Sequence, residues 1–264
     1  MARSLWTGSL SFGLVNVPVA MYSGVRDVDL HFRQLHAKDA APIDVQRWCP
    51  QDDAEVPYEE ITHAYELNSG KQVIVSDEEL EAAQPKRTRT IDIEQFVDAS
   101  DVDPVSFNHP YVLVPTSEDD GAAWAYRLLV QVMESTGRAA VGRVVLRAKE
   151  YLAIIRPRDG ALALTTMYFA DEIRSPKDVE AATQKKHRPT PEQLDVAVAV
   201  IEELSEDWDP KRYTDGYRKR LQQVVARKRK GETVTAPAAE DQPPPAPDLM
   251  EALERTLAAL SAKS

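Results

Sequence analysis

Arg3–Tyr22 reads RSLWTGSLSFGLVNVPVAMY, and its polarity alternates with a period of two that slips once, by one residue, without being lost. Trp6, Leu10, Phe12 and Leu14 are apolar at even positions, with Gly8 among them; Val15, Val17, Val19 and Met21 are apolar at odd ones. Alternate side chains of a strand point to opposite faces, so such a slip either turns the core face outward or is absorbed by a bulge. Gly13 beside the slip favours the bulge. The expectation is one long strand, bent near Gly13, that opens a closed or strongly coiled sheet.

The chain has 264 residues, enough for one large β-rich domain with appendages or two modest ones. Cys49 is its only cysteine, which rules out an internal disulfide and multi-cysteine zinc sites and fits a reducing compartment. No signal-like opening and no apolar run of spanning length is present, so a cytoplasmic, nucleoid-associated protein without membrane contact is expected.

Downstream of the opening strand, residues 30–75 read as irregular structure with short strands, ending in a turn at Asn68-Ser69-Gly70 and a strand Lys71–Val75. Ser76 with Glu79 forms a capping box for a helix over 77–83. Thr88–Val97 and Tyr111–Val114 read as strands. Trp124, Leu128 and Val132, with Leu129 and Met133, form one apolar stripe of a helix from about Ser117 to Gly137. Val141–Leu146, Tyr151–Ile155 and Ala161–Tyr168 make a meander with a cationic tip at Arg147-Ala148-Lys149-Glu150. Thr190 with Gln193 caps a helix through Glu203, and Asp209-Pro210 opens another with Tyr213, Tyr217, Leu221 and Val224 on one face. A Pro-rich linker, 232–248, precedes a short amphipathic helix carrying Leu249, Met250, Leu253, Leu257 and Leu260, which needs a surface to lie against. The domain reading is a core over 1–205, a basic helix over 206–231, that linker, and a tail helix over 249–264.

Net charge of −11 argues at first against a nucleic-acid partner, but its distribution reverses the argument. Residues 138–158 hold Arg138, Arg143, Arg147, Lys149, Arg156 and Arg158 against Glu150 alone, and residues 211–230 hold nine Lys and Arg against Asp215. Pro85-Lys86-Arg87-Thr88-Arg89 adds a shorter cluster. In the meander, cations on strands that bury Val and Ile predict one apolar and one cationic face. With few interleaved aromatics, such a face suits phosphate contact, hence duplex binding without sequence preference. His31, His36, His63, His109 and His187 show no metal-ligand spacing, and no P-loop, G-x-G-x-x-G, G-x-S-x-G or H-E-x-x-H is present, so no cofactor, metal or catalytic residue is assigned.

Several ordered segments carry a resemblance. RSLWTGSLSFGLVNVPVAMY, RWCPQDDAEVPYEEITHAYEL (47–67), VGRVVLRAKEYLAIIRPRDGALALTTMYFADEIR (141–174) and YTDGYRKRLQQVVARKRKGE (213–232) resemble the prokaryotic Ku family. The resemblance implies an α+β, β-rich fold: a Ku-type β-barrel core with an inserted ring-forming arm, here residues 30–75, peripheral helices and a C-terminal helical extension. It implies a homodimeric ring that binds double-stranded DNA ends, protects them and recruits a D-type ATP-dependent DNA ligase in non-homologous end joining, without catalysis of its own. By family position, Arg33, Lys38, Arg47 and Lys71 on the arm and Lys86, Arg87, Arg89, Arg143, Arg147, Lys149 and Arg156 on the cradle face the DNA. Tyr213, Tyr217, Arg218, Leu221, Leu253 and Leu257 fall in the region associated with the ligase. Some relatives carry extra cysteines near the position of Cys49; their absence here means no metal is carried over. Many relatives also finish in a Lys-rich tail, whereas Ala262-Lys263-Ser264 holds a single lysine, so bridging of ends through such a tail is not expected.

Two other functions compete. A metal-dependent nuclease would use the acidic loop Asp98–Asp103, and a dimeric transcription regulator would need a sequence-reading element such as a helix-turn-helix, which is not apparent.

Overall fold

The structure, a computed structural model, describes residues 3–85, 89–116, 120–178, 189–234 and 249–261. Packing divides the chain into two units, residues 1–27 with 33–175, and residues 28–32 with 176–264.

The opening stretch is a hairpin and not a single bulged strand. Strand β1 (Trp6–Phe12) pairs antiparallel with β2 (Val15–Ser23), with Leu10 opposite Val17, Gly8 opposite Val19 and Trp6 opposite Met21. Directly opposed residues share a face, and a two-residue loop sets even numbers against odd ones. The slip in the polarity pattern therefore marks a reversal of the chain. Gly13, at φ +60, takes the first central position of the loop, where a type II′ turn requires glycine, and Leu14 projects into solvent.

Two small ribbons follow, β3 (Trp48–Cys49) with β4 (Ala54–Glu55) and β5 (His63–Glu66) with β6 (Gln72–Val75), each pairing only within itself. Gly70, at φ +78, turns the second ribbon. The Ser76–Glu79 capping box starts α1 (Asp77–Ala82). No described residue from Tyr22 to Thr90 is buried.

The chain then returns as β7 (Thr90–Asp98), β8 (Phe107–Pro115), α2 (Asp120–Thr136), β9 (Arg138–Leu146), β10 (Lys149–Arg158) and β11 (Ala161–Met167). Seven strands close a barrel in the order β1-β2-β8-β11-β10-β9-β7, all neighbours antiparallel except β1 and β7. Glycine makes the closure possible: a Cβ on Gly8 would collide with the Arg89 carbonyl and the Trp6 ring, and one on Gly142 with the Asp92 carbonyl. The next two hairpins turn on Arg147-Ala148 and Asp159-Gly160, and all four of these residues have positive φ, the type I′ geometry.

Inward-facing Leu10, Val17, Met21, Ile91, Leu113, Val144, Ile155 and Leu164 fill the barrel together with Tyr126, Leu129, Val130 and Met133 of α2. The helix stripe read from sequence is thereby split. Leu129 and Met133 are in the core, but Trp124, Leu128 and Val132 are exposed, with 60% of Trp124 accessible. A smaller cluster, Ala139, Ile154 and Met167 with Val97, Phe107 and Leu152, lies on the outer side of the wall.

In the other unit, Thr190 and Gln193 form the expected capping box of α3 (Pro191–Glu203). The helix expected to open at Asp209-Pro210 begins later, as α4 (Gly216–Arg229) capped by Asp215. Pro210–Arg212 is a separate 3-10 turn, and Tyr213 lies outside any helix, its ring stacked 5.2 Å from that of Trp208. Helix α5 (Leu249–Ser261) packs against α3. The linker residues 235–248 and the terminal 262–264 lie outside the described residues. Among the described residues no helix is long and apolar enough to cross a membrane.

Candidate nucleic-acid interface

The cations of β9 and β10 do not line up on one strand face. Arg143 points outward from the wall, where its Nε lies 2.8 Å from Glu94 of β7 and a terminal guanidinium nitrogen 2.7 Å from Glu150 of β10. The two carboxylates, Glu150 first, hold the Arg143 guanidinium even further above its ordinary pKa. Its charge is locally cancelled, which a count along the meander cannot show. Arg156, on the same side, lies 4.8 Å over the Phe107 ring beside the outer cluster. The expected continuous cationic face is replaced by one neutralised arginine and one stacked arginine.

The hairpin tip is different. Arg147 and Lys149 are exposed, and among the described residues no carboxylate lies within ion-pair distance of either. Arg147 has φ +50 and Ala148 φ +67, a left-handed pair that costs a non-glycine residue of the order of 1–2 kcal/mol each. Lys149 places its ammonium 5.2 Å over the Tyr151 ring.

Arg33, Lys38, Arg47 and Lys71 are all exposed on the segment between β2 and β7, Arg47 lying 5.3 Å over the Tyr58 ring. Arg89 is exposed just before β7, and its carbonyl accepts a bond from the Ser9 N–H at 2.9 Å. Lys86 and Arg87 lie outside the described residues. The same segment exposes many large apolar side chains, among them Val45, Trp48, Tyr58, Tyr65 and Ile74.

A second apolar surface borders one mouth of the barrel. Phe12, Val15 and Phe96 at strand ends join Trp124, Leu128 and Val132 of α2 around a groove of about 450 Å³. Sequence reading missed this groove because the α2 stripe reads as a single apolar face, with nothing in the pattern to show which part of it the strands would leave exposed.

The acids of the Asp98–Asp103 loop do not converge. Asp98 accepts from the Ser100 N–H at 3.0 Å and hydroxyl at 2.6 Å, which lowers its carboxyl pKa, and Asp103 accepts from the Val105 N–H at 3.0 Å. Both carboxylates cap turns. Among the described residues no cluster of His, Cys, Asp and Glu has the arrangement of a metal site. Cys49, half-buried, donates weakly to Asp52 at 3.2 Å.

Of the residues placed near a ligase by resemblance, Tyr213 and Tyr217 are exposed, while Arg218, Leu221, Leu253 and Leu257 are half-buried within their own unit.

Residues 11–196 match the family model described as the Ku70/Ku80 beta-barrel domain. The chain is 43% identical over 260 residues to the "Non-homologous end joining protein Ku" of Anaeromyxobacter sp. (strain K), covering 98% of this chain and 86% of that protein. It is 39% identical to the protein of that name from Opitutus terrae, covering 86% and 80% respectively. With the one from Mycobacterium tuberculosis it shares 36% identity, covering 98% and 96%.

Proposed function

This chain belongs to the Ku family, and from that premise we propose that it is a homodimeric, non-catalytic clamp for the ends of double-stranded DNA. It binds ends without reading sequence, protects them, and recruits a D-type ATP-dependent DNA ligase in non-homologous end joining. The observation that carries this reading is the stretch from Tyr22 to Thr90, in which no described residue is buried although Val45, Trp48, Tyr58 and Ile74 are present. Isolated two-stranded ribbons do not hold themselves together in water, and exposed apolar surface on this scale calls for a partner. A second copy of the chain supplies that partner, leaving Arg33, Lys38, Arg47 and Lys71 to meet a duplex with the tip cations Arg147 and Lys149. Arg89 and Arg156 add to this contact, Lys86 and Arg87, which lie outside the described residues, are assigned to DNA by family position alone, and Arg143 adds little because Glu94 and Glu150 already neutralise it.

In the functional division we propose, the core through residue 205 holds DNA and the residues beyond it, including Tyr213, Tyr217, Arg218, Leu221, Leu253 and Leu257, serve the ligase. A chain ending at Gly231 should keep DNA binding and lose ligase stimulation.

The deciding experiment compares linear and relaxed circular DNA of one length and sequence. Capture of linear DNA that weakens steeply with salt, with little capture of circles, is expected for a ring loaded from an end. Equal retention of both forms would overturn the proposal of threading.

A further inference from the structure

The other mouth of the barrel is open and unlike the first. Trp6 of β1, Met21 of β2, His109 and Tyr111 of β8, Tyr151 of β10 and Arg147 of the hairpin tip surround a cavity of about 360 Å³. Trp6, Tyr111 and Tyr151 pack against the barrel core from its outer end, so the walls are anchored. The His109 and Tyr111 rings sit 4.8 Å apart at 59°. Burial and the neighbouring Tyr151 raise the Tyr111 phenol pKa, and Arg147 opposes that shift, so Tyr111 stays a neutral hydrogen-bond donor.

Small barrels ordinarily fill their interiors with side chains, and an unfilled mouth is a common place for a small ligand. The lining selects its chemistry. Flat aromatic faces favour a planar ring, a guanidinium at the rim favours an oxyanion, and no carboxylate lines the described cavity to hold a cation. A closed barrel also offers no free strand edge to an extended peptide.

We infer that this mouth takes a single unpaired nucleotide at the end of a DNA strand, its base among Trp6, Tyr111 and Tyr151 and its phosphate at Arg147. The inference rests on the DNA-end reading above and deepens it: the protein would distinguish an end with a protruding nucleotide from a blunt one.

The test uses the full-length protein and a duplex closed by a hairpin at one end. The other end is either blunt or carries one protruding, 5′-phosphorylated 2-aminopurine nucleotide, whose fluorescence is quenched by stacking. Stacking on aromatic side chains should favour the protruding end by roughly five- to a hundredfold, with quenching. Tyr111→Leu should abolish the preference and the quenching, Tyr111→Phe should retain both, and blunt-end binding by each variant reports that it is folded. Wild-type protein that binds both ends equally without quenching, or quenching that survives in Tyr111→Leu, overturns the inference. Free 2-aminopurine monophosphate quenched at the same protein concentration as the protruding end would overturn the strand as its source. If neither duplex binds but the free nucleotide is quenched, the DNA-end reading fails while the cavity assignment stands.

Discussion

Replacing Tyr126 with phenylalanine removes one oxygen atom and orphans two backbone groups. The Tyr126 hydroxyl donates to the Leu113 carbonyl at 2.6 Å and accepts from the Leu162 N–H at 2.8 Å, and Leu113 and Leu162 face each other across β8 and β11. Only 4% of Tyr126 is exposed, and Leu113 and Leu162 are fully buried, so water cannot take the hydroxyl's place. Each buried group left without a partner costs about 1–3 kcal/mol, and the variant is spared the burial of a hydroxyl, so a loss of about 3 kcal/mol is expected. That is a large share of a typical stability of about 5–15 kcal/mol. At about 2–4 °C per kcal/mol for a chain of this size, melting should fall by about 6–12 °C. Urea titration followed by tryptophan fluorescence should show an earlier midpoint with an unchanged slope. A loss below about 1 kcal/mol would refute the claim that this hydroxyl joins the two strands through the helix.

Three further outcomes follow from the geometry. Charge reversal at both Arg147 and Lys149 should weaken duplex binding equally across sequences and flatten the logarithmic salt dependence by about 2, as two lost phosphate contacts require; Arg143→Ala, already neutralised by Glu94 and Glu150, should shift affinity less than about threefold, a contrast that filter binding at several salt concentrations can read. Ala148→Gly should stabilise the fold by about 1 kcal/mol, because a left-handed residue at φ +67 loses its Cβ penalty, and thermal melting checks it. Burial raises the Tyr126 and Tyr111 phenols above the ordinary value near 10, so the folded state keeps protons that the unfolded chain releases. That contribution is whole below about pH 10 and is lost as pH rises through the folded values; urea midpoints against pH should show the decline, and Tyr126→Phe should make it shallower.

The barrel was legible in the opening stretch, but its geometry there was read wrongly for a physical reason. A period of two records which face each side chain takes and not which way the chain runs, so a hairpin with a two-residue loop and a bulged strand leave the same trace. Helix α2 shows the same limit. The pattern located the helix, yet Tyr126, Leu129, Val130 and Met133 face the core while Trp124, Leu128 and Val132 look outward, and the side that is buried is set by strands distant in sequence. Capping boxes at Ser76 and Thr190 were legible because their chemistry is complete within four residues. The open mouth was not, since Trp6, His109, Tyr111 and Tyr151 come from three strands and meet only once the barrel closes.

Arg143 shows why charge counted along the chain misled. Glu94, 49 residues away, reaches it across the β7–β9 seam, and Glu150 reaches it across the β9–β10 hairpin. The same seam is where Gly142 lets the Asp92 carbonyl approach too closely for any side chain. All three partners are about half exposed, so the contacts add little stability of their own. Their value is in register: a one-residue slip of β7 or β10 would turn its carboxylate to the other face and cost Arg143 one of its two partners. Arg143 therefore ties three strands where the barrel closes, its guanidinium already engaged by two carboxylates that a count along the chain does not bring to it. Among the described residues, the exposed Arg147 and Lys149 at the hairpin tip and Arg33, Lys38, Arg47 and Lys71 between β2 and β7 are the cations on which the proposed phosphate contact rests.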